Sequence, residues 1–488
     1  MLEFLRKIVR KRKSINQLEK EEDNYLRREF PTIIHSDYLY FNERLEREKT
    51  PQIAIQIHMY FVELLEEMAL AVNNIIYPFD CYITTDTEEK AVMIRKDFFP
   101  ICNAKNVYID VIENRGRDVA PFFVQMSPVV NKYKYIGHIH TKRSLHTDFG
   151  DDWRKFLINN LLGTKEYVTG IFKLFEEDVK LGFVMPDVYP VIKNYLKWDG
   201  AKESIDMMLK EMGDTVNLPD EPVFPTGNMF WARSSAISII LKQGYSLEDF
   251  PDEKGQLNLT LAHSIERIWL YLMKSQGYKY RICVNIDCSE GRKEDKRLII
   301  YNGSGVNEEL EKYGEIYIGD RKKLSYDYIK RFEQIVFVDD SCLGPIGSLN
   351  HIFETMSLKK VDMWSLLNNP PFFFVLNSSC FQKKEFDRYW KTAQKYDFEK
   401  AISYLYNELR KIECSYEVWV HESEYMDKWV NIANSQVRLP YEFMILGCPF
   451  VKKDSLSFLE NRENERIFSC LKQLPEGERI LALYEENN

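Results

Sequence analysis

Basic and imidazole side chains cluster at the end of one predicted strand, Tyr135–His140. Because side chains alternate along a strand, His138 and His140 share a face, and Lys142 joins them if the chain stays extended. Two histidines at this spacing can bind a metal ion, but Lys142 and Arg143 would repel a cation and attract a diphosphate. The pattern therefore favours a phosphate site over a metal site at this strand end.

A second polar segment, Asn114–Pro121, follows another predicted strand. Gly116 permits the backbone to approach a ligand closely, and Arg117 suits bidentate contact with a phosphate. Asn114 and Asp118 suit the hydroxyl groups of a ribose or a sugar. The alternative is a capped turn that carries surface arginines.

Further candidates are scattered along the chain. His58 ends the first predicted strand, where a lone histidine is more often structural than catalytic. The segment Phe224–Arg233, which contains Asn228, mixes small, aromatic and basic residues and suits the wall of a sugar site, although glycine turns beside aromatic residues also occur in plain cores. His263 and Glu266 lie three residues apart on a predicted helix, where they can act as acid and base or simply face solvent.

The candidates lie where predicted strands and helices alternate. The strands are Pro51–Tyr60, Cys81–Thr84, Asn106–Ile112, Tyr135–His140, Gly182–Met185 and Tyr278–Asn285, and the helices span 61–74, 88–98 and 152–174. This order predicts an α/β fold in which helical crossovers join parallel strands. Ligands of open α/β sheets bind at the carboxyl ends of the strands, which is where the candidates fall.

A charged turn region ends near Asp295, and a new alternation of strands and helices follows it. We therefore predict three parts: a basic and charged helical segment 1–48, a first α/β domain 49–295 and a second, smaller α/β domain 296–488. In the second domain the predicted strand Gln334–Val338 runs into Asp339 and Asp340, which are placed to hold Mg²⁺ or Mn²⁺.

Composition excludes several classes of protein. The chain has 488 residues and a net charge of −9, whereas a general nucleic-acid binder needs a basic face. No run approaches the roughly 18 apolar residues that span a bilayer, and the N-terminus has no signal-peptide pattern. The nine cysteines include no CxxC pair, which fits a reducing compartment. We expect a cytoplasmic protein that binds no nucleic acid.

The first residues, Met1–Lys13, have the pattern of a basic amphipathic helix. Such a helix can lie on anionic lipid, which would make the protein peripheral at the inner face of the plasma membrane. It can equally pack on the body of the protein or on a partner. The sequence leaves both interpretations open.

Several segments resemble the rhamnan synthesis protein F family, bacterial transferases associated with rhamnose-containing cell-wall and capsule polysaccharides. The matching segments are Ile57–Phe61, Phe79–Thr84, Asn114–Phe122, Tyr135–Ser144, Trp153–Arg154, Phe224–Arg233 and Phe250–Trp269. Their order and spacing cover most of Pro51–Tyr278, and the elements NRGRD-x-x-PF and HTKRS are rare together. The resemblance implies a glycosyltransferase of GT-A-like architecture that uses an activated sugar, dTDP-rhamnose or a UDP-sugar.

The residue patterns and the resemblance together define an expected site. The donor-binding candidates are His58, Thr84, Asn114, Arg117, Asp118, His138, His140, Lys142, Arg143 and Asn228. On a GT-A-like sheet, an Asp-x-Asp that binds metal ordinarily ends the strand that here ends in His-x-His-x-Lys. Cationic side chains in that place would stabilise the leaving diphosphate, so we expect transfer without a metal cofactor in the first domain.

The chain departs from the family pattern near the start of one predicted helix. Where family members read Asp-Gly-Thr, this chain reads Asn258-Leu259-Thr260, so a carboxylate that would contact the acceptor or act as base is absent. The remaining catalytic candidates are Asp118, Asp249, Glu253, His263 and Glu266. Spacing alone does not choose among them.

Parts of the second domain resemble the same family. The segments are Phe332–Pro345, Val361–Leu366 and Phe374–Trp390. With a metal at Asp339 and Asp340, this domain would be a second GT-A-like transferase. The segment Tyr301–Lys323, however, has no counterpart of the Asn-Arg-Gly-Arg-Asp turn beyond Gly319-Asp320-Arg321, which favours a degenerate domain that is structural or binds acceptor.

The expected function is transfer of a sugar, rhamnose according to the resemblance, to a lipid-linked glycan or a growing cell-surface polysaccharide. Transfer from a β-linked donor to give an α-linked product would invert the anomeric carbon. Two other functions stay open: a non-catalytic glycan-binding scaffold of a polysaccharide assembly complex, and a phosphotransferase of the sugar-phosphate or teichoic-acid type. A hydrolase is disfavoured, because the sequence has no Gly-x-Ser-x-Gly elbow.

Overall fold

The computed structural model describes residues 28–35, 40–47, 50–141, 149–213, 216–251, 260–288, 291–303, 307–367, 372–420, 440–458, 461–475 and 477–485. The described residues fold as two compact units, which divide after Val284. The first unit takes the residues up to that point apart from His35. The second takes the residues from Asn285 onwards.

The first unit alternates strands and helices along most of its length. Its strands are β1 (Thr32–His35), β2 (Ile53–His58), β3 (Phe79–Thr85), β4 (Asn106–Val111), β5 (Tyr135–His140), β6 (Leu181–Pro186), β7 (Phe230–Arg233) and β8 (Lys279–Ile286). Its helices are α1 (Glu43–Arg47), α2 (Leu65–Val72), α3 (Glu88–Asp97), α4 (Val119–Met126), α5 (Gly150–Leu162), α6 (Lys165–Glu177), α7 (Ala201–Glu211), α8 (Ser234–Leu241) and α9 (Leu261–Ser275). The predicted strands of this unit are all present, within a few residues of their predicted ends.

These strands form one sheet in the order β1-β8-β6-β7-β5-β2-β3-β4. β2 pairs in parallel with both β3 and β5, so that His58 is level with Thr84 on one side and with His140 on the other. The carboxyl ends of these three strands therefore meet at one edge of the sheet. Every residue of β2, β3 and β5 is buried, as expected for parallel strands covered on both faces.

Strand β7 departs from the parallel arrangement, because it runs antiparallel to both β5 and β6. No strand was predicted here, and the segment was interpreted as a sugar-site wall or as part of a core. Phe230 and Trp231 are 0% and 1% exposed and pack inside the unit, so these two residues belong to its core. A four-residue strand that is apolar on both faces has too little alternation to be recognised.

The prediction of one long helix over Asp152–Leu174 is wrong, because two helices, α5 and α6, occupy the segment. Thr164 lies between them with extended backbone angles, and its hydroxyl accepts from the backbone amide of Tyr167. Such an N-cap satisfies an amide that a new helix leaves without an intrahelical partner. The capping threonine therefore starts a second helix.

The second unit contains shorter elements. Its strands are β9 (Arg297–Asn302), β10 (Glu315–Ile318), β11 (Gln334–Asp339), β12 (Cys342–Leu343), β13 (Met363–Ser365), β14 (Phe373–Asn377), β15 (Tyr416–Val418) and β16 (Val451–Lys452). Its helices are α10 (Glu308–Glu311), α11 (Tyr326–Ile329), α12 (Asn350–Leu358), α13 (Ser378–Phe381), α14 (Phe386–Ala393), α15 (Phe398–Lys411), α16 (Pro440–Ile445), α17 (Lys453–Phe458), α18 (Asn461–Leu471) and α19 (Gly477–Glu485). Six strands form a sheet in the order β10-β9-β11-β14-β13-β15, in which β9, β10 and β11 are parallel.

Both units are mixed α/β, with sheets in which parallel pairs predominate, so the predicted fold class is confirmed. No helix in the described part of the chain is long and apolar enough to cross a membrane. The predicted N-terminal helix Met1–Lys13 lies outside the described residues.

Candidate functional site

Side chains from distant parts of the first unit converge on the carboxylate of Asp118. The Nε2 atom of His138 lies 3.2 Å from Asp118 Oδ2, and Asn228 Nδ2 donates to the same oxygen at 2.8 Å. The Nε2 atom of His140 lies 3.9 Å from Asp118 Oδ1. Asp118 precedes α4, the histidines belong to β5, and Asn228 precedes β7. The structure thus brings together four predicted residues from three separate segments of the chain.

The turn before α4 sets the direction of Asp118. Gly116 and Arg117 both have left-handed backbone conformations, with φ of 62° and 56°. A Cβ at position 116 would lie 2.6 Å from atoms of both Ala120 and Phe250, so only glycine fits there. Arg117 holds a conformation that costs a residue with a side chain about 1–2 kcal/mol. The pair turns the chain sharply at the sheet edge and exposes the Arg117 side chain.

The opposite wall of the site is the turn formed by Gly227 and Asn228, whose φ values are 83° and 50°. Glu266 Oε1, on α9, accepts from the Gly227 amide at 2.9 Å, while His140 Nε2 donates to the Gly227 carbonyl at 2.8 Å. Trp269 Nε1 donates to Asn228 Oδ1 at 2.9 Å. This last bond fixes the amide orientation, so that the donor group of Asn228 faces the carboxylate.

The two turns and the start of α9 enclose a cleft of about 70 Å³. The residues that line it are Arg117, Asp118, Val119, His140, Gly227, Asn228, Ala262, His263 and Glu266. Sites for drug-sized ligands measure about 300–1,000 Å³, so this cleft fits only part of a nucleotide sugar. Three other predicted residues, Lys142, Arg143 and Glu253, lie outside the described residues.

The cleft keeps Asp118 ionised. Burial by itself would raise the pKa of this carboxyl, but His140, His138 and the hydrogen bond from Asn228 outweigh that effect and hold the pKa well below its usual range. An ionised carboxylate with two donors on Oδ2 is a fixed acceptor for hydrogen bonds. It suits a hydroxyl group of a ligand.

His263 lies in the first turn of α9 and lines the same cleft. Its Nδ1 lies 2.7 Å from Thr260 Oγ1. Its pKa is lowered to about 4, by burial first and by the positive charges of Arg117 and Arg267 next. A neutral imidazole can accept a proton from a hydroxyl group. Among the predicted candidates for a base, His263 combines a place in the cleft with this charge state.

Two other candidates for the base are engaged in holding the fold. Glu266 lines the cleft, but its Oε1 is the acceptor for the backbone amide of Gly227. Asp249 closes a capping box, in which its Oδ2 accepts from the Ser246 amide at 2.7 Å and from the Ser246 hydroxyl at 3.1 Å. Asp249 is not among the residues that line the described cleft.

Two predicted donor-binding residues lie beneath the cleft, inside the sheet. Thr84 is fully buried and His58 is 5% exposed, with His58 Nδ1 3.0 Å from Thr84 Oγ1. Burial is the main reason why the pKa of His58 is lowered to about 4. Asn114, another predicted donor-binding residue, is half-buried and also outside the cleft lining.

The sequence analysis missed two buried amides in the same layer. Gln56, on β2, is fully buried and lies 2.7 Å from His138 through its Oε1. Gln125, on α4, is 6% exposed and accepts from Gln56. Gln125 is the one polar residue of VAPFFVQM, and Gln56 interrupts the apolar run of IAIQIH, which otherwise has a polar residue only at its end, His58. That isolation was a usable signal, because polar groups are buried in proteins when they have partners.

In the second unit, Asp339 and Asp340 lie at the end of β11 as predicted. Asp339 accepts from the Ser341 amide and from Asn302 Nδ2, at 2.9 and 2.7 Å. Asp340 Oδ1 accepts from Tyr301 and from Lys453, both at 3.0 Å. Among the described residues, no group of three histidine, cysteine or acidic side chains is placed to hold a metal ion.

Comparisons with known proteins identify a matching family. The model of a family described as rhamnan synthesis protein F matches residues 8–278 and 319–474. Two curated proteins from strains of Xanthomonas campestris pv. campestris, both called uncharacterized protein WxcX, are 30% identical over 236 residues. The aligned stretch covers 47% of this chain and 32% of each relative. The chain therefore matches about a third of the length of these relatives.

Proposed function

Because the chain belongs to the rhamnan synthesis protein F family, we propose that it is a glycosyltransferase of polysaccharide synthesis. The first unit would take a sugar from a nucleoside diphosphate and transfer it to a hydroxyl group of a lipid-linked glycan or a growing polysaccharide. The family description names rhamnan, which makes dTDP-rhamnose the first donor to test, with UDP-sugars next. We also propose a GT-A-like architecture for this unit.

One observation carries the proposal: an ionised Asp118, fixed by His138 and Asn228, faces a cleft at the carboxyl ends of parallel strands. Open α/β sheets bind their ligands at such an edge. A fixed carboxylate is suited to a sugar or ribose hydroxyl, and Arg117 beside it is suited to a phosphate. The cleft thus offers both kinds of contact that a nucleotide sugar requires.

We assign stabilisation of the leaving diphosphate to cationic and hydrogen-bonding groups, with Arg117 first among them. A GT-A-like fold implies a metal at the end of β5, but the residues there are His138 and His140, and His140 already donates to Gly227. The acidic residues of the cleft, Asp118 and Glu266, are both engaged by donors of the protein. This donor set does not fit a divalent metal, and we propose that the transfer needs none.

His263 is the proposed base for the acceptor hydroxyl. Proton transfer in the transition state requires an unprotonated group, and the lowered pKa of about 4 keeps the imidazole neutral at pH 7. Attack on the anomeric carbon forms the new glycosidic bond and breaks the bond to the diphosphate oxygen, while His263 takes the acceptor proton. With a β-linked donor and an α-linked product, this displacement inverts the anomeric carbon.

The second unit is proposed to be structural or to bind acceptor, because Asp339 and Asp340 are engaged by neighbouring donors. Association with a membrane surface through Met1–Lys13 also stays a proposal. Deleting these residues should release the protein from vesicles of anionic lipid, and unchanged binding would refute it.

The deciding experiment is a panel of sugar nucleotides, in which release of free nucleoside diphosphate is measured with and without EDTA. We expect turnover of one donor in EDTA and its loss in His263→Ala. The matched control is Asn131→Asp, a substitution on the exposed surface of the same unit, which should keep turnover. Failure to bind dTDP or UDP in a thermal shift assay would favour the scaffold, and turnover of a CDP-alcohol would favour the phosphotransferase.

A further inference from the structure

A chain of hydrogen-bonded amides runs through the buried layer beneath the cleft. Gln125 Nε2 donates to Asp110 Oδ2 at 2.8 Å and to the carbonyl of Ile83 at 2.9 Å. Gln56 Nε2 donates to Gln125 Oε1 at 3.3 Å and to Thr84 Oγ1 at 3.0 Å. Gln56 Oε1 then lies 2.7 Å from His138 Nδ1. The chain ends at Asp118, 3.2 Å from His138 Nε2.

Hydrogen-bond chemistry fixes the orientation of both amides. The Nε2 group of Gln125 faces a carboxylate and a carbonyl, which only accept, so a flipped Gln125 would place its oxygen against two acceptors. Its Oε1 must therefore face Gln56, and that neighbour must present its NH₂ group in return. The Oε1 atom of Gln56 is left to face His138.

The two ring nitrogens of His138 thus both face acceptors. Nδ1 faces the amide oxygen of Gln56, and Nε2 faces the carboxylate of Asp118. A neutral imidazole has only one N–H and would leave one of these contacts as a lone pair against an oxygen. His138 is fully buried, so water does not relieve such a contact.

We propose that Gln125 and Gln56 are positioning residues that hold His138 as a doubly protonated imidazolium, paired with the ionised carboxylate of Asp118. The charge on His138 then lies directly behind Asp118, which lines the cleft, and is present before any ligand binds. The ionised carboxylate of Asp118, whose charge His138 balances, is an oriented acceptor for a ligand hydroxyl and does not act as the catalytic base. This last role rests on the proposed function, whereas the charge on His138 does not.

Within the described part of the chain, the titratable groups around His138 are two carboxylates, which favour its charged form, and two imidazoles. They are Asp118 before α4, His140 on its own strand, His58 at the end of β2, and Asp110 on β4 through Gln125. His58 has a pKa of about 4, lowered mainly by burial, and is neutral at pH 7. Of the other three, two are carboxylates.

Aromatic rings complete the enclosure. The ring of Phe122, on α4, lies 4.5 Å from that of His138 between centroids, and the ring of Phe230, on β7, lies 5.6 Å away. Both rings are tilted relative to the imidazole, at 48° and 54°, and they exclude water from it. A buried ion pair is tolerated when geometry and further hydrogen bonds compensate for its desolvation, and Gln56 and Asn228 supply those bonds.

The test is a nitrogen-15 NMR spectrum of the ligand-free protein with labelled histidine, recorded from pH 6 to pH 8.5. The chain has eight histidines, and the signals of His138 are assigned as those that His138→Gln removes. We expect both ring nitrogens of His138 to show the protonated type throughout. One protonated and one bare nitrogen at pH 7.5 would overturn the proposal.

Two variants of Gln56 test the positioning role. Gln56→Glu keeps an acceptor at Nδ1, so His138 should stay doubly protonated, whereas Gln56→Met removes that acceptor and should convert Nδ1 to the bare type near pH 7.5. If the charge of His138 is the same in both variants, Gln56 has no positioning role. If Gln56→Met does not fold, Gln125→Met provides the same comparison one step farther along the amide chain.

This readout is independent of catalysis. A protein that transfers no sugar but shows the imidazolium would refute the proposed function and keep the charged pair. An active protein with a neutral His138 would support the proposed function and refute the charged pair. If the protein transfers sugar and His138 is an imidazolium, Asp118→Asn should weaken donor binding. It should keep the shape of the pH–rate profile, because Asp118 is not the base.

Discussion

Asn228 donates its side-chain amide to the carboxylate of Asp118 at 2.8 Å, across 110 residues of chain. The bond joins the turn before β7 to the start of α4, and it closes one side of the cleft. Because Trp269 fixes the orientation of Asn228, the geometry of the bond is set before a ligand arrives.

Replacing Asn228 with Asp should damage the site more than its change in size suggests. The variant removes a donor to Asp118 and places a second carboxylate beside it, at a position that is buried. Leaving a buried polar group without its partner costs about 1–3 kcal/mol, and like charges add to that. Urea unfolding at pH 7 should show the loss, and Asn131→Asp on the surface should not. Equal stability of the two variants would contradict the role assigned to this bond.

Substitutions of Glu266 separate a structural from a catalytic carboxylate. Its Oε1 accepts from the amide of Gly227, and Gln keeps an oxygen in that place while Ala does not. We therefore expect Glu266→Gln to retain most of the transfer activity and Glu266→Ala to lose about tenfold or more, for a bond worth about 1.5 kcal/mol. Complete inactivity of the Gln variant would instead identify Glu266 as an acid or base.

Arg117 should contribute to affinity for the diphosphate. Arg117→Ala removes a charge-assisted contact and should weaken binding of dTDP or UDP about tenfold, while Arg117→Lys should restore part of the loss. All three residues bear a Cβ, so backbone strain at the left-handed φ of 56° is similar in each. Arg95→Ala, at an exposed position of α3, is the matched control. Calorimetry at low salt measures the difference, which added salt should reduce.

Much of the fold followed from the sequence, because its strands are long, apolar and separated by helical periodicity. Strand β5 was predicted with its observed ends, and the residues at its carboxyl end line or underlie the cleft. The prediction for segment 152–174 was wrong because the apolar stripe continues through Thr164. In the structure Thr164 caps a new helix and so separates α5 from α6. A continuous apolar periodicity indicates a buried helical face, but it does not distinguish one long helix from two consecutive ones.

The site itself was only partly predictable. Asp118, His138 and Asn228 were each named from local features, yet nothing in the sequence says that their side chains meet. The partners of Gln56 and Gln125 depend on sheet register and helix packing, which are properties of the whole unit. Spacing likewise did not distinguish His263 from Asp249, whereas the capping bond of Asp249 does.

The pH dependence of stability should report on His58. Its pKa is about 4 in the folded unit and about 6.5 in an unfolded chain. Between these values the unfolded chain binds a proton that the native protein does not, so the free energy of unfolding falls as the pH falls from 6.5 towards 4. From pH 7 to pH 5, His58 should account for a loss of roughly 2 kcal/mol.

The variant His58→Gln lacks this titration and should show a smaller loss over the same range. His263, whose pKa is also lowered to about 4, is present in both proteins and cancels in the difference. His351→Gln, an exposed position in the second unit, is the control and should follow the wild-type curve. Parallel curves for wild type and His58→Gln would mean that the pKa of His58 is the same in the native and unfolded states, which would contradict the prediction.

Asp340→Asn tests whether the second unit takes part in chemistry. Asp340 Oδ1 accepts from Tyr301 and Lys453, and Asn keeps an oxygen for one of these donors while removing the charge that faces the lysine. For a partly exposed ion pair we expect a loss of about 1 kcal/mol or less in unfolding free energy. Donor turnover should stay within about twofold of wild type, whereas loss of a metal ligand costs roughly 10-fold or more. Asp340→Asn with normal stability and abolished turnover would show that the second unit contains an active site.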